Sequence, residues 1–207
     1  MDRQAAINSW SNRLANNLPG NTAATIATWI VDLKVRFVVS KPRSTKLGDF
    51  RANRKGPHQI TINSDLNRYS FLVTTIHEFA HLGCYLKHGN KVKPHGKEWK
   101  DLYARMLGKF LDRGVFPSDL STAIKKHLKN PKASSCSCPE LSAALSKYDT
   151  YPGPRLVNLA EGDLFIFRKE EYKIVEFKRT RVLCCRTSDK RKYLISGRAK
   201  IQLSPSR

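Results

Sequence analysis

Apolar side chains recur at three- and four-residue steps in several stretches of the chain and alternate with polar ones in others. Ile7, Trp10, Leu14 and Leu18 mark an amphipathic helix from residue 3 to about 17, closed by Pro19-Gly20. A second helix is expected from Ala23 to Leu33, with Asn21 or Thr22 as its cap. Leu72, Ile76, Phe79, Ala80 and Gly83 define the apolar stripe of a third, which Gly89 ends. Trp99, Leu102, Tyr103, Met106, Leu107, Phe110 and Leu111 define a fourth, and Ser118-Asp119 caps a last one to about Lys129, with His127 on a basic, solvated segment. Val35–Ser40 is rich in β-branched and aromatic residues and reads as a strand; Gln59–Asn63 alternates as a half-buried strand does. Between them, residues 42–56 supply short strands or loop, with a turn at Gly48. Because Gln59–Asn63 directly precedes the third helix, it is the strand expected to border a cleft.

Beyond residue 130 the pattern changes. Asn130-Pro-Lys-Ala-Ser-Ser135 reads as a linker. Leu164–Phe167, Tyr172–Val175, Arg181–Leu183, Lys192–Ile195 and Arg198–Leu203 read as short strands, with a hairpin turn at Ser196-Gly197. The expected organisation is an α+β domain over residues 1–130, a linker over 131–150 and a basic, all-β module over 151–207. Such a module closes into a small SH3-like barrel or a ribbon.

The third helix carries His77-Glu78-Phe79-Ala80-His81. Residues four apart stand one turn above each other, so His77 and His81 present two imidazoles to one ion. Glu78 is rotated about 100° away, outside the coordination sphere but within reach of a water on the metal. This H-E-x-x-H arrangement is that of zinc peptidases, in which zinc lowers the pKa of water and the glutamate takes the proton. A catalytic zinc needs a third protein ligand. His88 lies about 10 Å further along the same helix, at 1.5 Å per residue, and cannot reach. His95 follows a six-residue loop, Gly89–Pro94, that can bring it back to the ion. The metzincin spacing fails, because positions 84 and 87 are Cys84 and Lys87.

H-E-x-x-H followed by Pro94-His95-Gly96-Lys97-Glu98-Trp99 resembles the SprT-like (Spartan-type) zinc metallopeptidase family, whose third ligand lies in such a segment. Arg43–Asp49 and Ile60–Leu66 also look like the family's N-terminal half, so the resemblance covers roughly residues 10 to 115. It implies a zincin-like domain, one catalytic zinc held by His77, His81 and His95, Glu78 as the catalytic base, and proteins associated with DNA as substrates. Relatives often carry a C-terminal zinc ribbon of two cysteine pairs. Cys136, Cys138, Cys184 and Cys185 stand roughly there, but their spacing departs from the usual two to four intervening residues. A second, structural zinc competes with a degenerate ribbon that binds none.

Charge adds a partner class. The 207 residues hold 38 Lys and Arg against 17 Asp and Glu, a net charge of +21. Such a field gathers polyanions, so nucleic acid, DNA before RNA, is the expected partner. The candidate contacts are Lys178, Arg179, Arg181, Arg186, Lys190, Arg191 and Lys192, interleaved with Phe177 and Tyr193. No apolar run reaches membrane-spanning length and no secretory signal is evident, so a cytoplasmic, nucleoid-associated protein is expected. Five cysteines, an odd number, agree with a reducing compartment. The alternative reading is a non-proteolytic nucleic-acid-binding protein whose zinc is structural. Oligomeric state is not legible.

Overall fold

Asn67 opens the helix around which the first of two units is built. The computed structural model describes residues 2–43, 45–131, 138–150, 153–178, 181–197 and 199–205, and it divides the chain into Met1–Thr150 and Tyr151–Arg207. Helix α3 (Arg68–His88) begins where the Asn67 side-chain oxygen accepts from the N–H groups of Tyr69 and Ser70, at 3.1 and 2.9 Å. It ends at Gly89, whose φ of 60° is left-handed. Phe71, Leu72, Ile76, Phe79, Ala80 and Leu82 are buried, so the helix is covered on most sides.

Before α3 come α1 (Arg3–Leu14), α2 (Thr22–Asp32) and three strands, β1 (Arg36–Ser40), β2 (Gly48–Arg51) and β3 (Gln59–Asn63). After it come α4 (Lys97–Asp112), α5 (Ser118–Leu128) and α6 (Pro139–Ser146). In the sheet β3 is central, parallel to β1 and antiparallel to β2. Ile60 and Ile62 on β3, with Phe37 on β1, join the core formed by Ile26, Ile30 and α3. The expectation that β3 borders a cleft is therefore corrected. A strand paired on both sides has no free backbone edge, and the edge nearest α3's Glu78 belongs to β2, within a segment read as a turn at Gly48.

Buried Asn63 fixes the start of β2. Its amide donates to the carbonyls of Arg43 and Lys46, at 3.0 and 2.9 Å, and its oxygen accepts from Arg43 Nε at 2.8 Å. Three bonds from one side chain hold the loop that delivers Gly48.

Two further expectations are corrected in this unit. The stretch read as linker contains α6, started by Pro139 at its first turn; Leu141, Ala144 and Leu145 at helical spacing bury it in the first unit's core. His127 is buried rather than solvated, because Leu120, Ile124 and His127 form the inward stripe of α5. Residues 132–137, Cys136 among them, lie outside the described residues, as does Arg179.

The second unit is a five-stranded antiparallel sheet in the order β7-β6-β5-β4-β8. Its strands are β4 (Leu164–Phe167), β5 (Glu170–Phe177), β6 (Arg181–Arg186), β7 (Lys192–Ser196) and β8 (Gln202–Leu203). A register shift between Ile174 and Glu176 bulges β5 against β6. Leu156, Phe165, Tyr172, Ile174, Val182, Cys184, Ile195 and Ile201 form a core of its own. The last strand is shorter than its alternating sequence suggests: Arg198 lies outside the described residues, and among those described Gln202 and Leu203 are strand while Lys200 forms an isolated bridge to Arg155.

Asn67 also donates to the Leu145 carbonyl at 2.9 Å and to Asp149 Oδ1 at 2.7 Å, tying the cap of α3 to the end of α6. Asn67→Ala should therefore lose both a helix cap and buried hydrogen bonds, about 2 to 3 kcal/mol in denaturant unfolding. A loss below about 0.5 kcal/mol, the range of an ordinary surface substitution, would show that neither set of bonds matters.

Candidate metal centre

His77 and His81 project from successive turns of α3. His95 reaches the same point from the following turn, where Gly96 N–H donates to the Lys93 carbonyl at 2.9 Å and His95 itself has a left-handed φ of 60°. A non-glycine residue in that region is uncommon and is held there by its surroundings. The result is a closed triangle of Nε2 atoms, with sides of 3.1, 2.9 and 3.2 Å.

Trp99 lines the back of this triangle. Its ring lies 4.6 Å from that of His77, 5.3 Å from His81 and 4.7 Å from His95, and it stacks on Tyr103 at 4.9 Å. Helix α4 thus supplies the surface against which all three imidazoles pack. The indole N–H is buried and has no hydrogen-bond partner among the described residues, so Trp99 contributes shape there.

Burial holds the imidazoles neutral. It lowers the proton affinity of His77 to a pKa of about 2, helped by His81 and His95, and that of His81 to about 4, helped by His95; His95 is lowered by burial as well. Three neutral imidazoles that converge through Nε2 direct lone pairs at one another, and one proton cannot satisfy all three. A cation can. Three nitrogens around a zinc at about 2.05 Å would stand about 3.3 Å apart at tetrahedral angles, close to the triangle found. The donor set therefore fits zinc, and among the described residues these histidines are the group able to hold a metal ion.

Glu78 lies a 100° step round α3 from His77, against β2. Burial, and next the charge of Asp49, raises its pKa to about 8; the Phe50 N–H, Lys46 and Arg43 pull the other way. Asp49 is in turn engaged by Lys46 at 2.7 Å and Arg51 at 3.0 Å.

Two histidines outside the triangle have structural places. His88 is the last residue of α3, beyond the metal-facing turns. His58 accepts from the Asn53 N–H at 3.2 Å and packs on Phe50 and Tyr85. Tyr103 is buried behind His77, where burial pushes its phenol well up; it belongs to the core.

Of the four cysteines considered for a second zinc, Cys136 lies outside the described residues. Cys138 is buried in the first unit's core and Cys184 in the second's, while Cys185 points to the opposite face of β6 from Cys184 and donates to the Lys190 carbonyl at 3.3 Å. Adjacent strand residues face opposite ways, so this pair cannot grip one ion.

The basic band also divides. Lys178 pairs with Glu176, Arg186 with Asp189, and Arg191 lies 3.6 Å from Asp189. Arg186 covers the ring of Tyr193 at 5.1 Å. Arg181 and Lys192 stand opposite Ser196 and Cys185, on the face turned away from the Val182–Cys184 core. Lys190, with φ of 59°, occupies the β6–β7 turn.

A helix with two converging histidines, completed by a third from a turn, makes this an α+β domain whose H-E-x-x-H helix carries a cluster able to hold a metal ion. The sequence model of the SprT-like family matches residues 20–120, which contain all of β1 to α4 and every residue of the centre, and the chain belongs to that family. No curated protein and no solved structure matches it. Missed in the sequence were Gly48, whose close approach to Glu78 has no local signature, and Asn63 and Asn67, whose side-chain amides donate to acceptors 17 to 82 residues away.

The titrations set a pH dependence for the metal-free protein. The histidines, depressed below 6.5, weaken the fold as pH falls below that value, because the unfolded chain then binds more protons. Glu78, raised from 4.5 to about 8, weakens it as pH rises between those values. Three histidines outweigh one glutamate below 6.5, and above it the glutamate acts alone. Thermal unfolding of chelator-treated protein should show greatest stability near pH 6.5, and saturating zinc should remove the alkaline decline. A midpoint rising steadily from about pH 5 through pH 8 would contradict this balance.

Proposed function

We propose that this chain is a zinc-dependent metallopeptidase of zincin-like architecture, acting on proteins associated with DNA. The observation that carries the proposal is the closed Nε2 triangle of His77, His81 and His95 on a helix whose next residue, Glu78, is a buried carboxylate of raised proton affinity. His77, His81 and His95 would hold the zinc, which when bound would supply a water of lowered pKa and a positive charge for the scissile carbonyl. Glu78 takes the proton from the attacking water and returns it to the leaving amine. A structural site has no use for such a carboxylate and closes its fourth position with another ligand.

The substrate backbone would lie along β2. Leu47 pairs with Asn63, whose N–H donates to the Leu47 carbonyl at 2.8 Å, so Asp49 and Arg51 also face β3. Gly48 and Phe50 then turn their carbonyls to the free edge, where an extended peptide adds as a further strand.

DNA association rests on charge. Residues 151–207 hold 14 of the 38 basic side chains against 6 of the 17 acidic ones. With Lys178, Arg186 and Arg191 ion-paired, Arg181, Lys190 and Lys192 are the described members of the basic band best placed for phosphates. The second unit is SH3-like in this reading and folds without metal. The chain carries no described helix long and apolar enough to cross a membrane.

Glu78→Gln should keep zinc and lower protein cleavage by roughly a thousandfold or more, as loss of a general base does. His95→Ala should lose the metal, measured as zinc per chain by mass spectrometry. If Glu78→Gln cleaves as well as wild type, or if no protein is cleaved by the zinc-loaded chain with or without DNA, the non-proteolytic alternative takes its place. Charge reversal of Arg181 and Lys192 to Glu should weaken duplex DNA binding and flatten its dependence on salt by about two units of log–log slope. An unchanged slope would remove these two side chains from the interface.

A further inference from the structure

We propose that Gly48 is a positioning residue for Glu78: the absence of a side chain on this edge strand sets where the carboxylate stands beside the metal centre. A Cβ built on Gly48 would lie 2.8 Å from Glu78 Oε1, 2.9 Å from Glu78 Cγ and 2.8 Å from Thr74 Cγ2. Real Cβ atoms essentially never approach neighbours so closely. The carboxylate occupies the space that any other residue would fill.

Backbone conformation does not explain this glycine, because its φ is not among the left-handed ones. Space does. Gly48 stands opposite Ile62, on the face that β3 turns toward α3. Thr74 and Glu78 are four residues apart and face β2 as one surface. The strand cannot easily retreat, since Asn63 grips the carbonyls of Arg43 and Lys46 just before it and the Leu47 carbonyl accepts from the Asn63 N–H. The neighbouring Phe50 N–H favours the charged carboxylate from the same strand. The strand that would receive the substrate backbone thus also fixes the base, and the two are placed relative to each other by one rigid segment.

The catalytic consequence rests on the peptidase reading above, but the contact does not, so the test has separate arms. In thermal unfolding of wild type, Gly48→Ala, Glu78→Ala and the double variant, Gly48→Ala should lower the midpoint clearly in the wild-type background and much less when Glu78 is already Ala. The Thr74 contact is common to both backgrounds and cancels. Equal penalties would overturn the proposal whether or not any variant is active. In cleavage assays Gly48→Ala should lower kcat at least tenfold with KM little changed and one zinc per chain retained. Loss of zinc together with activity would mean that Gly48 holds the helix and not the carboxylate, and would also overturn it. Gly108→Ala, where an added Cβ meets nothing within 4 Å, should leave kcat unchanged. A zinc-loaded wild type that cleaves no protein would end the peptidase reading and leave the unfolding cycle to decide the contact.

Discussion

Three half-buried imidazoles whose nitrogens are brought within about 3 Å of one another are the constraint on which the first unit is arranged. Their lone pairs repel, and burial denies them protons, so the arrangement is unfavourable without a cation. The surrounding fold compensates. Helix α3 is buried on most sides, Trp99 backs all three rings, and His95 is held in a left-handed conformation uncommon for a residue other than glycine. A centre of this kind couples metal binding to folding, because the ion removes the repulsion that the apolar core otherwise has to offset.

The carboxylate beside it obeys different rules. Glu78 is buried against a strand edge, a helical step round from His77, and its proton affinity rises for want of water and because Asp49 lies near. One helix thereby separates two chemistries. The face of His77 and His81 favours loss of protons, and the face of Glu78 favours retention of one. That separation follows from the 100° step between adjacent helical residues.

How much of this was readable depended on range. The triangle was legible because its parts are local: a four-residue spacing, a glycine stop, and a loop of measured length before His95. Helix α6 carried its signal as well, Leu141, Ala144 and Leu145 after Pro139, but the Ser- and Cys-rich run before it looked like linker. His127 was hidden by Lys125, Lys126 and Lys129, although Leu120 and Ile124 gave the stripe to which it belongs. The role of β2 was not legible. Four residues beginning with glycine read as a turn, and neither the spatial order β1-β3-β2 nor the fit of Gly48 against Glu78 follows from any local pattern. The cysteines illustrate the opposite case. The family's ribbon suggested a site, but Cys184 and Cys185 face opposite sides of β6 and Cys136 lies outside the described residues.

Asn67 joins two places that sequence holds far apart. One side chain caps the helix of the metal centre and grips Leu145 and Asp149, just before the chain leaves the first unit at Thr150. Tension applied to the chain at that junction is borne in part by these bonds, and through them by the first turn of α3. The anchor that resists such a pull is thus the same amide that starts the helix carrying His77, so mechanical load and metal-site geometry share a single residue.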